Sequence, residues 1–205
     1  MTDQQVLIEI SGFMLAKAFS SKHGPAALMA GDAVAHQLAP RQLARQFVVQ
    51  AEGQSVLIPE RLNFVSDDLQ LAESDDAWPF ARALQTRSND GFQRQRAARD
   101  LLADLQPWGA PFVVSLIGEY IVEILEDVAV ALTPETTRTL GTFISHNKTY
   151  WQTTKRRVMS YWNEYYRWHG GDRPDRAHHR HQYVGFKLIT ELETAAFGRT
   201  SSATL

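Results

Sequence analysis

Apolar positions recur at helical spacing over most of the chain. From Trp78 onward the pattern predicts helices over residues 78–87, 91–105, 112–132, 134–145, 147–168 and 184–196. In 91–105, Ala98, Leu101, Leu102 and Leu105 follow the i, i+3, i+4, i+7 repeat of a helix with one buried face. Residues 112–132 are apolar nearly all round, which marks the central helix of a bundle, expected to pack on 147–168 and on 91–105. Thr133-Pro134-Glu135 is a start signal: a hydroxyl to cap free N–H groups, a proline at the first helical position, an acid in the first turn. Gly170-Gly171-Asp172-Arg173-Pro174 closes the 147–168 helix, and Gly198 the last one.

The first 40 residues fit two periods. Val6, Ile8 and Ile10 alternate like a strand, while Val6, Ile10, Phe13, Met14 and Lys17 space like a helix. The reading adopted is a helix over 4–19, broken by Lys22-His23-Gly24-Pro25, then a second helix over 25–38. The β signal is FVVQAEGQSVLI, residues 47–58. It predicts strands over 47–51 and 55–58 with Gly53 in the turn, Phe47 and Val48 on opposite faces, and Pro59 as the end. A lone hairpin is marginal in water, so this one packs on helices or pairs with a third strand near 61–65. The fold class expected is mainly α: an irregular multi-helix bundle of six or seven helices with one small β-hairpin near residues 46–62. One domain spans 1–205. Its N-terminal helices and hairpin fill 1–66, its helical core 77–197, and a frayed tail 198–205.

Composition narrows the chemistry. The 205 residues are 44% hydrophobic, enough for a sizeable core. There is no cysteine, which excludes disulfides, thiolate metal sites, iron–sulfur clusters and cysteine nucleophiles. No uncharged apolar run reaches membrane length, and Asp3 and Glu9 stand where a secretory leader carries Lys or Arg. A cytoplasmic protein without a membrane span is expected.

Charge then divides the chain. Residues 1–145 carry a net −7, residues 146–187 a net +6. The basic block also holds five of the seven histidines. Either the two halves attract each other or the block meets an anionic partner. The helix expected over 147–168 reads NKTYWQTTKRRVMSYWNEYYRW. Trp151, Val158, Trp162 and Tyr165 fall on one face, and Tyr150, Arg157, Tyr161 and Trp168 on another. One face can be core; the second leaves rings beside guanidinium groups near the surface. Such a mixture suits a protein interface, stacking on nucleic-acid bases, or a thick core with Arg stacked on rings. The candidate binding residues are Arg156, Arg157, Tyr161, Tyr166, Arg167 and Trp168.

Catalytic and metal signals are thin. Ser115, Glu119, Glu123 and Glu126 would form one stripe on a continuous helix, but no Glu-x-x-His accompanies them, as a di-iron bundle requires. Carboxylates facing Arg156 or Arg157 are expected instead. Asp175, His178 and His181 space like ligands of an open zinc site, yet Arg173, Arg176 and Arg180 oppose a dication. Residues 169–181 therefore read as a solvated loop or an anion-binding surface, and neither metal nor cofactor is expected. No dinucleotide fingerprint, P-loop or nucleophile elbow occurs. The leading function is a non-enzymatic interaction or assembly protein that binds a protein partner, or itself, through its aromatic and basic C-terminal surface. A nucleic-acid or polyanion-binding module through 146–187 stands second, a metal-dependent hydrolase at the His/Asp loop third.

Overall fold

The computed structural model describes residues 7–66, 68–167 and 180–198. The fold is mainly helical with a small amount of antiparallel strand, as the hydrophobic pattern requires. Among the described residues no helix is long and apolar enough to cross a membrane. The chain forms two compact units, Met1–Leu101 and Leu102–Leu205.

The first unit opens with strand β1 (Leu7–Ile8). Helix α1 (Gly12–Ala16) follows, and the Ser11 hydroxyl caps it by accepting from the Met14 N–H. Helix α2 (Gly24–Ala35) lies against α1. The contact is backbone to backbone: a Cβ on Gly31 would sit 2.3 Å from the Gly12 carbonyl oxygen. Strand β2 (Gln42–Leu43) pairs with β1, and β3 (Gln46–Ala51) with β4 (Gln54–Pro59), both antiparallel. Glu52 and Gly53 make the turn with φ of 51° and 78°, the pair of positive angles that matches the twist of a tight hairpin. Phe47 and Val49 turn inward and Val48 outward. The unit continues with α3 (Trp78–Gln85) and α4 (Gly91–Ala103), whose Ala97, Ala98, Leu101 and Leu102 are buried.

One expectation in this unit is corrected, and one is decided between its two alternatives. Residues 4–6 of the helix expected over 4–19 lie outside the described residues; the rest is β1 plus the five-residue α1, because Leu7 and Ile8 pair with a strand far along the chain, Leu7 opposite Leu43 and Ile8 opposite Gln42. Of the two supports expected for the hairpin, the structure has the helix: β4 packs on α1, and residues 61–65 add no third strand. Leu62 and Phe64 bridge Ser88 and Leu38 instead, and β4's outer edge is occupied by the Lys17 carbonyl, 2.8 Å from the Leu57 nitrogen.

The second unit comprises α5 (Ala110–Ile117), α6 (Val122–Val130), α7 (Pro134–His146), α8 (Lys148–Tyr165) and α9 (Val184–Phe197). Every residue of α5 is buried, and it packs on α6, α7 and α8. The α7–α9 contact is the tightest of the unit, with a Cβ at Gly141 only 2.9 Å from that of Ala195. Thr133 caps α7 as expected, accepting from the Thr136 N–H. The single helix expected over 112–132 is two. Gly118, at φ −83° and ψ 24°, ends α5, and residues 119–121 link it to α6. Glycine carries the largest helix penalty after proline, and a Cβ here would meet the Arg157 side chain at 3.3 Å. The carboxylate stripe is broken with it: Glu119 is buried in the link, Glu123 lies in the first turn of α6 and Glu126 is exposed.

Candidate functional site

The candidate surface is built on α8. Its inner face is Trp151, Thr154 and Val158, all buried at i, i+3 and i+7. Polar bonds fix its register against α9. The Trp151 Nε1–H donates to Glu193 Oε1 at 3.1 Å, and Lys155 Nζ lies 2.5 Å from the same oxygen. Beyond Val158 the aromatic side chains divide into two ring clusters.

The inner cluster is Trp162, Tyr166, Tyr183 and Phe186. Tyr166 and Tyr183 lie 4.9 Å apart between centroids, and Phe186 meets Tyr183 and Trp162 edge-on at 5.9 and 5.6 Å. Tyr183 is 1% exposed. A Cβ at Gly185 would lie 2.7 Å from its ring and 2.8 Å from Val158, so glycine makes room for it. Burial, and behind it the neighbouring Tyr166, push the Tyr183 phenol well above the ordinary tyrosine range, so it stays protonated. Among the described residues its hydroxyl has no hydrogen-bond partner.

The outer cluster is Tyr120, Tyr161 and Tyr165. The three centroids form a near-equilateral triangle with sides of 5.9, 5.8 and 6.2 Å. Tyr120 is 45% exposed and Tyr165 48%. Tyr120 belongs to the link that Gly118 opens between α5 and α6, and the Tyr166 hydroxyl fastens that link by donating to the Tyr120 carbonyl at 2.8 Å. One exposed ring is thus placed by the backbone bond of a half-buried one.

The six sequence-derived residues are placed as follows. Arg156 is exposed, with Nη2 donating to the Thr153 hydroxyl at 3.2 Å. Arg157 is half-buried beside Gly118. Tyr161 joins the outer cluster and Tyr166 the inner. Arg167 is exposed with its guanidinium 5.8 Å from the Trp162 centroid. Trp168 lies outside the described residues, as does most of the 169–181 segment. Of its end, Arg180 stands 4.6 Å from the Phe186 centroid and His181 is exposed. Tyr120 and Tyr165 were missed by sequence reasoning. Tyr165 follows Tyr161 by one helical turn, a spacing that signals stacked neighbours. Tyr120 needed the break at Gly118 to be recognised first.

Two other sites offer polar groups. A groove of about 760 Å³ runs along α9, lined by Thr137, His181, Phe186, Lys187, Thr190 and Thr194 among others. In the first unit, Glu52 at the hairpin turn collects Lys22 Nζ at 2.6 Å on one oxygen, and Ser20 Oγ and His23 Nε2, both at 2.9 Å, on the other. Burial pushes the Glu52 carboxyl up, but the bonds from Lys22, Ser20 and His23, with the charge of His23, outweigh it and hold the group below its usual range. A nucleophilic triad places the imidazole between serine and acid. Here serine and imidazole share one carboxylate oxygen, so the constellation clamps the hairpin tip. Among the described residues no three His, Asp or Glu side chains gather as a metal site requires. No protein-family model, curated protein or solved structure matches this chain.

Proposed function

We propose that the second unit is a protein-binding module whose contact surface is the outer tyrosine cluster. The observation that carries this reading is the triangle of Tyr120, Tyr161 and Tyr165, two of whose rings stand about half exposed at 45% and 48%. Clustered phenol rings present large, stiff apolar area together with polar hydroxyls, the composition of interface hot spots. Arg156, exposed on α8 and bonded to Thr153, lies on the face of that helix away from Tyr161 and Tyr165 and is left out of this surface. Arg157 and Tyr166 act differently, holding the link and the inner cluster beneath that surface. The reading calls for no cofactor.

The test is quantitative affinity purification from the native cell with the wild-type chain and a Tyr120→Ala/Tyr165→Ala variant. At least one protein should be retained by the wild type and lost by about tenfold or more in the variant, as expected when hot-spot rings are truncated. The variant should unfold at nearly the wild-type temperature. An identical retained set for both chains overturns the reading. Retained nucleic acid that is released steeply by salt would favour the polyanion alternative.

A further inference from the structure

The two edges of the β3–β4 hairpin are treated differently by the fold. The turn at Glu52–Gly53 makes Ala51–Gln54, Val49–Val56 and Phe47–Ile58 the hydrogen-bonded pairs. The backbone groups of Ser55, Leu57 and Pro59 on β4, and of Gln46, Val48 and Gln50 on β3, therefore point away from the hairpin. On β4 that edge is closed: the Leu57 N–H donates to the Lys17 carbonyl at 2.8 Å and the Pro59 carbonyl accepts from Arg87 Nε at 3.0 Å. On β3, among the described residues, no backbone group bonds the outward N–H or C=O of Gln46 or Val48.

Open edges invite pairing, and proteins blunt them with charge, proline or a bulge. Strand β3 has none of these. Residues 46–51 read QFVVQA, without charge or proline, and the pairing with β4 runs one to one without a bulge. The outward face carries Val48, 62% exposed, between Gln46 and Gln50, with half-buried Leu57 opposite Val48. The order Gln-x-Val-x-Gln reads the same in both directions. A second, antiparallel β3 laid along the edge with its two-fold axis at Val48 sets valine on valine and glutamine on glutamine. Leu57 of each copy extends the apolar stripe.

We infer that this protein self-associates through β3, two copies joining their hairpins into one four-stranded antiparallel sheet centred on Val48. The occupant is a second copy because the order of side chains along the edge is self-complementary and the outward N–H and C=O of Val48 meet their own counterparts across the axis, whereas a charged peptide would find no counter-charge on strand β3. The contact is short compared with the roughly 1,200–2,000 Å² of a stable standard interface, so the dimer is concentration-dependent. This inference is independent of the tyrosine surface, which lies in the other unit.

Sedimentation equilibrium of the full chain, from low to high micromolar concentration, gives the first readout. The mass should rise from one chain to two, and Val48→Lys, which places two like charges across the axis, should hold it at one. Far-UV circular dichroism of Val48→Lys should match the wild type, since position 48 contributes no ladder bond to β4. The second readout uses the absence of cysteine, which makes any introduced thiol unique. Facing Val48 residues would have Cα atoms about 5.5 Å apart, within disulfide reach. Under mild oxidation Val48→Cys should give covalent dimer about tenfold faster than Val130→Cys, at the 88% exposed Val130 of α6. A wild-type chain that stays monomeric overturns the inference. So does a Val48→Lys dimer, or a Val48→Cys chain that crosslinks no faster than the control.

Discussion

The two ring clusters beside α8 use the same residue type for opposite purposes. Tyr183 is 1% exposed, wedged against Gly185 in the first turn of α9, while Tyr165, 48% exposed, packs at a tilt against two other tyrosines at the surface. What separates them is the partner element. The inner rings meet α9, which Glu193 ties to Trp151 and Lys155; the outer rings of α8 meet Tyr120 on the short link opened by Gly118. A count of aromatic residues in this region therefore overstates the binding surface, and substitution should separate the roles.

The largest effect is expected at Tyr183. Tyr183→Ala removes a fully buried ring and should cost about 3–5 kcal/mol of unfolding free energy in urea titration. A loss under about 1 kcal/mol would break the comparison by placing the inner cluster at the surface as well.

The clamp at Glu52 comes next and marks a polar contrast to the apolar inner cluster. Glu52→Gln keeps the shape but loses the charge that Lys22 and His23 bind, and should cost about 1–3 kcal/mol at neutral pH. The pH dependence has a definite sign. The folded-state pKa lies below the ordinary 4.5, so the contribution is complete above that value and is lost as pH falls through the folded-state value. Unfolding midpoints measured between neutral pH and the acid range should fall more for the wild type than for Glu52→Gln, and parallel curves would remove the clamp from the account.

Tyr166→Phe is a smaller change. It deletes the bond to the Tyr120 carbonyl that fastens one cluster to the other, and about 1 kcal/mol should be lost, read as a lower thermal midpoint. Tyr183→Phe, by contrast, removes a buried hydroxyl that has no hydrogen-bond partner among the described residues and should be neutral or slightly stabilising in the same measurement. A loss at Tyr183→Phe equal to that at Tyr166→Phe would show that the inner hydroxyl is satisfied.

How much of this was legible in the sequence follows from how local each signal is. The β3–β4 hairpin was legible because alternation and a Glu-Gly turn act over a dozen residues, and the Thr133 cap because it needs four. The N-terminal segment was not. Val6, Ile8 and Ile10 alternate while Val6 and Ile10 also fit a helix, and the strand that pairs with Leu7 and Ile8 lies far away at Gln42–Leu43. The break at Gly118 was masked by apolar residues on both sides, which satisfy a buried link as well as a buried helix. At the candidate surface the sequence supplied residue types and two faces. Which face is solvent depends on where α9 docks, a tertiary fact carried by Glu193 and Phe186, so Tyr165 was placed in the core and Tyr120 was not considered.

The most direct test of the central claim, that the outer tyrosines form a binding surface and the inner ones a core, is hydroxyl-radical footprinting read by mass spectrometry. The purified chain is compared with the same chain in its native assembly from cell extract. Tyr120 and Tyr165 should be oxidised in the purified chain and protected in the assembly, with Tyr183 protected in both. Equal labelling of Tyr120 and Tyr165 in the two samples, or labelling of Tyr183 as strong as that of Tyr165, would contradict the account.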